Sequence, residues 1–139
     1  MIVDSHQHFW RYDPVEYDWI DDELAPIRRD FLPGDLEGEI ALAGVDAVVS
    51  VQARQTLEET RWLLEMASAH EFVAGVVGWV PLVSETVGDT LETLAREAKL
   101  CGVRHVLQGE ADPLFALRED FDRGIALLRG FGLAYDVLV

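Results

Sequence analysis

The chain alternates short apolar runs with stretches in which apolar residues recur every three or four positions. Ile2-Val3 runs into Asp4-Ser5-His6-Gln7-His8 and predicts a first strand. Residues 47–53, 72–80, 103–108 and 133–139 supply four more apolar runs of strand length, with Pro81 stopping the run that precedes it. Between them lie the helical patterns. Leu36, Ile40 and Ala43 form a stripe closed by Gly44, and Thr56 with Glu59 matches a capping box opening a helix to about residue 71. Leu91, Leu94, Ala95 and Ala98 share one face of a predicted helix from Asp89 to Leu100, with Gly102 just past its end. Phe121, Ile125 and Leu128 mark a last helix that ends around Gly130 and Gly132.

Strands two to five begin near residues 46, 73, 103 and 133. A βα module therefore repeats at roughly 30 residues, the size of a βαβ unit. Near-continuous apolar strands between amphipathic helices predict a parallel α/β sheet covered on both faces. Two architectures use that alternation. A five-stranded doubly wound sheet fits the length. A (β/α)₈ barrel of the TIM type needs about 250 residues, so residues 1–139 would be its first five strands. An apolar strand at the end of the sequence, with no helix after it to cover it, favours the partial barrel. The expectation is a truncated barrel, or a half-barrel whose open edges pair with a second copy or a complementary chain. A doubly wound binding domain would place a glycine-rich phosphate loop after the first strand; Ser5-His6-Gln7-His8 stands there instead.

One stretch breaks the rhythm. From Phe9 to about Gly34 the chain carries Phe9, Trp10, Tyr12, Tyr17 and Trp19, punctuated by Pro14, Pro26 and Pro33. Aromatics at this density argue against disorder. Either this loop folds over a site beside the histidines, or it packs as a small core of its own.

Charge and cysteine content narrow the function. The formal net charge is −15, which disfavours nucleic acid and anionic membrane surfaces as partners. The acids are scattered and read as solvated faces. Cys101 is the single cysteine, so no internal disulfide can form, and a cytoplasmic setting is expected. Cys101 itself reads as a small buried residue at a helix end. No apolar run is long enough to span a bilayer as a helix.

The candidate chemistry follows from strand geometry. Side chains two apart on a strand share a face, so His6 and His8 point the same way, with Asp4 below them. Two imidazoles so placed can reach one divalent metal. In parallel α/β folds the functional groups gather at the C-terminal strand ends. That rule adds Ser50 and Gln52 from the second strand, Arg104, Val106 and Gln108 from the fourth, and Asp136 from the fifth, with His105 on the opposite face. A mouth of His, Gln and Arg suits metal-assisted hydrolysis of an oxygen-rich substrate. Each residue also has a plainer role open to it. Gln52 and Gln108 could cap strand ends, Arg104 could pair with an acid, His105 could pack against a helix, and Asp4 could orient a histidine or satisfy backbone.

Asp4-Ser5-His6-Gln7-His8-Phe9-Trp10 resembles the opening signature of the amidohydrolase superfamily. Trp10 and the run Gly102-Val103-Arg104-His105-Val106-Leu107-Gln108-Gly109-Glu110 resemble the branch called amidohydrolase family 2, near the sugar-lactone hydrolases of fuconolactonase and rhamnonolactonase type. Val49-Ser50-Val51-Gln52-Ala53 and Tyr135-Asp136-Val137-Leu138-Val139 match that branch at corresponding places. The resemblance spans the whole chain but only the first part of the family's length. It implies a (β/α)₈ barrel that opens lactone rings, or related C–O or C–N bonds, with water. His6 and His8 would be the catalytic and metal-binding histidines, and Trp10, Gln52, Arg104 and Gln108 the substrate contacts. The implied cofactor is a single divalent metal, zinc by preference, since no lysine or glutamate in the fourth strand is placed to bridge two. The family's further histidine from the sixth strand and aspartate from the eighth lie beyond Val139, so the 139 residues alone are expected to be inactive.

Overall fold

The computed structural model describes residues 1–138. Five parallel strands, β1 (Val3–Gln7), β2 (Ala47–Val51), β3 (Val73–Gly78), β4 (Leu100–Val106) and β5 (Ala134–Leu138), pair in the order β1-β2-β3-β4-β5. Val139, expected to close the last strand, lies outside the described residues. The sequential order decides between the two architectures. A doubly wound sheet reverses its order at a switch point. Here each new strand adds on the same side, and the sheet curls into a half-barrel with helices between its strands, the arrangement of a TIM-type barrel.

Four helices, α1 (Pro33–Ala43), α2 (Leu57–Ala69), α3 (Val87–Leu94) and α4 (Glu119–Leu128), connect the strands. Their ends follow local chemistry. Pro33 opens α1, and the Asp35 carboxylate accepts the Leu32 N–H at 2.8 Å. Gly44 closes it with φ 69°, a left-handed conformation that costs glycine least. Thr56 caps α2 by accepting the Glu59 N–H at 3.2 Å, which is one half of the expected capping box. The other half does not form as expected. Glu59 turns its carboxylate to the Ala53 and Arg54 N–H groups at 3.0 and 2.7 Å, tying down the β2–α2 loop.

The third helix is shorter than its apolar pattern predicts. It ends at Leu94, and Leu100 already belongs to β4. The sheet wins this contest. Val76 on β3 donates its N–H to the Lys99 carbonyl at 2.7 Å, while the Lys99 ammonium donates to the Ala67 and His70 carbonyls at the end of α2. Those bonds extend the chain where side-chain periodicity alone favours another helical turn. As a consequence Cys101 is an exposed strand residue rather than a buried one at a helix end.

The main core lies between the sheet and its helices. Val48, Val73, Val76 and Val103 meet Leu63, Ala67, Leu91, Phe121 and Leu128, all nearly or wholly buried. Ser50, expected to share a face with Gln52, is instead the register partner of Val76 and so lies on this helix side. Gln52 follows the end of β2, where strand alternation no longer dictates direction. The helices sit close to the sheet and to the connections that leave it. A Cβ on Gly78 would stand 2.5 Å from Thr60 Cγ2, and one on Gly124 would stand 2.1 Å from the Leu82 carbonyl oxygen. No helix among the described residues is long and apolar enough to cross a membrane.

The aromatic loop meets both of its expectations in part. Trp10, Tyr17 and Ile20 form a second small core with Tyr12, Ile27 and Phe31, fastened by a Trp10–Phe31 bridge. Phe9 joins the main core, and Trp19 remains 45% exposed.

Candidate active site

The site is built at the C-terminal ends of β1, β2 and β4. β1 ends at Gln7, and His8 follows it directly. The His6 N–H donates to Asp4 Oδ1 at 3.0 Å, so Asp4 acts on the backbone of the histidine segment. The two imidazoles meet edge to face, with ring centroids 5.0 Å apart and Nε2 atoms at 3.2 Å. His8 is fixed from behind by Nδ1 at 2.9 Å from the Val51 carbonyl. A carbonyl only accepts, so Nδ1 carries the hydrogen, and in the neutral ring Nε2 keeps its lone pair. Burial holds the His8 imidazole below its ordinary value; Arg104 and His6 push the same way, against the hydrogen bonds to the Val51 and Gln52 backbone.

Arg104 comes from β4, across the sheet. Its Nη1 stands 3.2 Å from His6 Nε2. Its Nη2 donates to both oxygens of Gln52, the side-chain Oε1 at 3.0 Å and the backbone carbonyl. Arg104 is only 4% exposed and Gln52 is fully buried. Burial pulls the guanidinium down from its ordinary value, opposed by the negative charges of Asp136 and Glu59. Asp136 is its register partner on β5. Two donors in this group, Gln52 Nε2 and Arg104 Nε, are buried without a hydrogen-bond partner. Orphaned buried donors are rare and costly, and a site that awaits a ligand accounts for them.

A cleft of about 610 Å³ opens over these groups. His8, Gln52, Arg104 and Gln108 line it, so four of the expected site residues converge, with His6 held between His8 and Arg104. Gln108 reaches the cleft from a 3₁₀ turn (Leu107–Gly109) that follows β4, not from the strand itself. Trp10 is placed otherwise. It is 6% exposed, and its indole N–H donates to the Arg29 carbonyl at 2.8 Å. It stands behind the cleft, 6.4 Å from the His8 ring, and supports Trp19 edge to face at 6.1 Å. Trp19 takes the cleft wall instead.

Trp19, Arg54 and Gln55 are among the lining residues that the sequence does not single out. Trp19 was counted among the loop aromatics, and only exposure separates it from its buried neighbours. Arg54 lies over the Tyr17 ring and pairs with Glu16. Gln55 accepts the Val106 N–H at 2.7 Å, joining the β2–α2 loop to the end of β4. A long loop and a polar run after a strand signal such residues as a group, not one by one.

His105 belongs to the other face. It stacks on Phe115 at 4.9 Å and meets Phe121 edge to face, with Nδ1 accepting from the Trp79 indole at 3.2 Å and Nε2 at 2.6 Å from Glu110. It is a packed residue.

The pair His6 and His8 fits a metal ion in part. Two nitrogens each about 2.0–2.1 Å from one tetrahedral zinc stand roughly 3.3 Å apart, and the two Nε2 atoms are 3.2 Å apart. Among the described residues no group of three or more His, Cys, Asp or Glu side chains is placed to hold a metal.

Five parallel strands in sequential order with helices between them, and polar groups gathered at the C-terminal strand mouth, define an arc of a β/α barrel of the class that places its site at that mouth. The amidohydrolase family model matches residues 3–139, and the chain belongs to that family. It is 41% identical over 138 residues to the L-fucono-1,5-lactonase of Burkholderia multivorans, covering 99% of this chain and 46% of that enzyme. A crystal structure of a B. multivorans amidohydrolase with bound zinc superposes with a TM-score of 0.95 at 41% identity, over all of this chain and 49% of the other. An amidohydrolase 2 protein from Bifidobacterium longum subsp. infantis, 20% identical with a TM-score of 0.69, shares the fold. The chain spans about half the length of the curated relatives it matches.

Proposed function

We propose that these residues supply the N-terminal share of the active site of a lactone hydrolase acting on a sugar lactone, of the kind named for the B. multivorans relative. The observation that carries this reading is the convergence of His6, His8, Gln52 and Arg104 at one mouth, with unpartnered donors on Gln52 and Arg104. His6 and His8 would hold a divalent ion, zinc by preference, through their Nε2 atoms. When bound, such an ion polarises a lactone carbonyl and acidifies water.

The chain's own groups do the rest. The Val51 carbonyl fixes the His8 ring so that Nε2 faces its partner. Gln52 and Arg104 offer N–H donors to the ring and hydroxyl oxygens of a lactone. Trp19 offers a flat apolar wall to one face of the sugar ring, and Gln108 closes the far side of the cleft. Two histidines fill half of a tetrahedral coordination sphere and provide no carboxylate base. The 139 residues alone are therefore catalytically weak or dead in this reading.

Lactone opening releases a carboxylic acid, so hydrolysis is read as proton release with a pH indicator. The polypeptide purified from its native source, where its intact mass exceeds that of these 139 residues, is expected to open L-fucono-1,5-lactone or a related sugar lactone. His8→Ala is expected to reduce that rate at least ~100-fold, as loss of an ion ligand or its orienting partner does. No turnover on any sugar lactone tested, from a folded native polypeptide longer than these 139 residues and supplied with zinc, would overturn the reading. Robust hydrolysis by the isolated 139-residue chain would overturn its second part.

A further inference from the structure

We infer that Arg104 is the resident cation of the histidine pair, and that a divalent metal gains His6 only by displacing the Arg104 guanidinium. The inference rests on the reading that His6 and His8 bind metal and concerns what controls that binding.

The donor and acceptor inventory forces the point. A guanidinium has only donors, so at 3.2 Å from Arg104 Nη1 the His6 Nε2 atom must be the acceptor. The Val51 carbonyl only accepts, so His8 donates from Nδ1, and in the neutral ring its Nε2 holds a lone pair. The His6 and His8 Nε2 atoms stand 3.2 Å apart, and the Arg104 guanidinium brings a positive charge against the His6 nitrogen from one side. The single lone pair on His6 Nε2 then has two claimants, the Nη1 hydrogen and the metal, and cannot serve both.

Arg104 is also held in place. Its Nη2 donates to both Gln52 oxygens, the Gln52 backbone is bound in turn to the Val77 carbonyl at 2.8 Å, and the guanidinium is almost wholly buried. A surface arginine would swing aside at little cost, but this one must give up its bonds to both Gln52 oxygens. The metal therefore meets one open ligand on His8 and one occupied ligand on His6, beside a permanent positive charge. Arginine at position 104 lowers metal affinity and makes occupancy of the site depend on where the guanidinium goes. A substrate oxyanion that draws Arg104 toward the cleft would free His6 and tighten the metal.

Zinc binding to the purified protein by titration calorimetry tests this without reference to turnover. Arg104→Met, which keeps length and removes charge, is expected to bind Zn²⁺ about tenfold tighter or more. Arg104→Lys should fall between it and the wild type. Equal or weaker Zn²⁺ binding by folded Arg104→Met overturns the inference. Should that variant fail to fold, nitrogen-15 spectra of the wild-type side chains decide. The Arg104 Nε–H signal is expected to shift in step with His6 Nε2 as Zn²⁺ is added. A shift at both histidines with Arg104 unmoved overturns this inference alone. No response at either histidine overturns the metal-binding reading itself, and this inference with it.

Discussion

Arg104 and His105 are adjacent on β4 and face opposite sides of the sheet. His105 has every valence answered, with an indole on one nitrogen, a carboxylate on the other and phenyl rings against its faces. Arg104 lies among groups that are left incomplete. Its own Nε and the Gln52 Nε2 lack partners, and the histidines beyond it hold their Nε2 atoms 3.2 Å apart. Both residues are buried, so burial does not tell them apart. Completeness of hydrogen bonding does. Around His105 the bonding is closed, while the mouth keeps the Gln52 and Arg104 donors open to something that binds there.

That contrast predicts opposite responses to mutation. The largest effect belongs to the helix side. Phe121 is 1% exposed and touches His105, Phe115 and Tyr135. Phe121→Ala should cost about 3–5 kcal/mol of stability through the lost contacts and the cavity left behind. Urea denaturation measures it, and zinc affinity of the remaining folded protein should not change.

A histidine-for-histidine comparison is sharper. His105→Ala leaves the Trp79 indole and the Glu110 carboxylate without their buried partner, at a cost of about 1–3 kcal/mol. His8→Ala removes one hydrogen bond to the Val51 carbonyl, worth about 1 kcal/mol. Zinc binding should follow the reverse order, intact in the first variant and lost in the second. If both variants lost stability and metal affinity in parallel, the two faces would not be distinct.

The sequence carried much of this and missed the rest for identifiable reasons. Period and spacing specified the five strands, and His6 with His8 could be placed on one mouth because strand alternation fixes direction. Gln52, Arg104 and Gln108 followed from the rule of C-terminal strand ends. The failures came where tertiary bonds overrode local pattern. Lys99 was drawn out of a helical stripe by pairing with Val76, which moved the helix end and exposed Cys101. Glu59 left its capping box for the Ala53 and Arg54 amides, two groups whose need for a partner is invisible along the chain. Trp10 and Trp19 look alike as letters. Packing buried the first and left the second on the cleft wall.

Glu59 supplies the test between the two faces, since it anchors the loop that carries Arg54 and Gln55. Its carboxyl is pushed up from the ordinary 4.5, chiefly by burial, against the pull of the Arg54 and Ala53 amides, the Arg54 charge and the Tyr17 hydroxyl. A carboxyl raised on folding binds its proton more tightly in the native state than in the unfolded chain. Stability therefore falls as pH rises from about 4.5 to the raised value, and the cost is complete above it. Glu59→Gln cannot ionise and should flatten that part of the pH–stability curve, measured by thermal denaturation between pH 4 and 8. An unchanged slope would assign the pH dependence to other groups.

Trp19→Ala should give the smallest stability change, within about 0.5 kcal/mol, because the ring is 45% exposed and rests on Trp10 without a hydrogen bond of its own. Its effect belongs to the ligand. A sugar ring laid against an indole gains contact of the kind that is worth about 0.5–1.5 kcal/mol between aromatic partners. Removing it should weaken binding of a sugar lactone, or of the acid that forms from it, by roughly twofold to tenfold. Trp19→Phe should recover most of that loss, since a smaller flat ring still rests on Trp10. Trp10→Phe makes the opposite case. It removes the donor to the Arg29 carbonyl inside the loop core and should lower stability before it touches affinity. Two tryptophans nine positions apart then separate what holds the cleft from what meets its contents. A loss of stability in Trp19→Ala as large as that in Trp10→Phe would return Trp19 to the loop core and leave the cleft without its apolar wall.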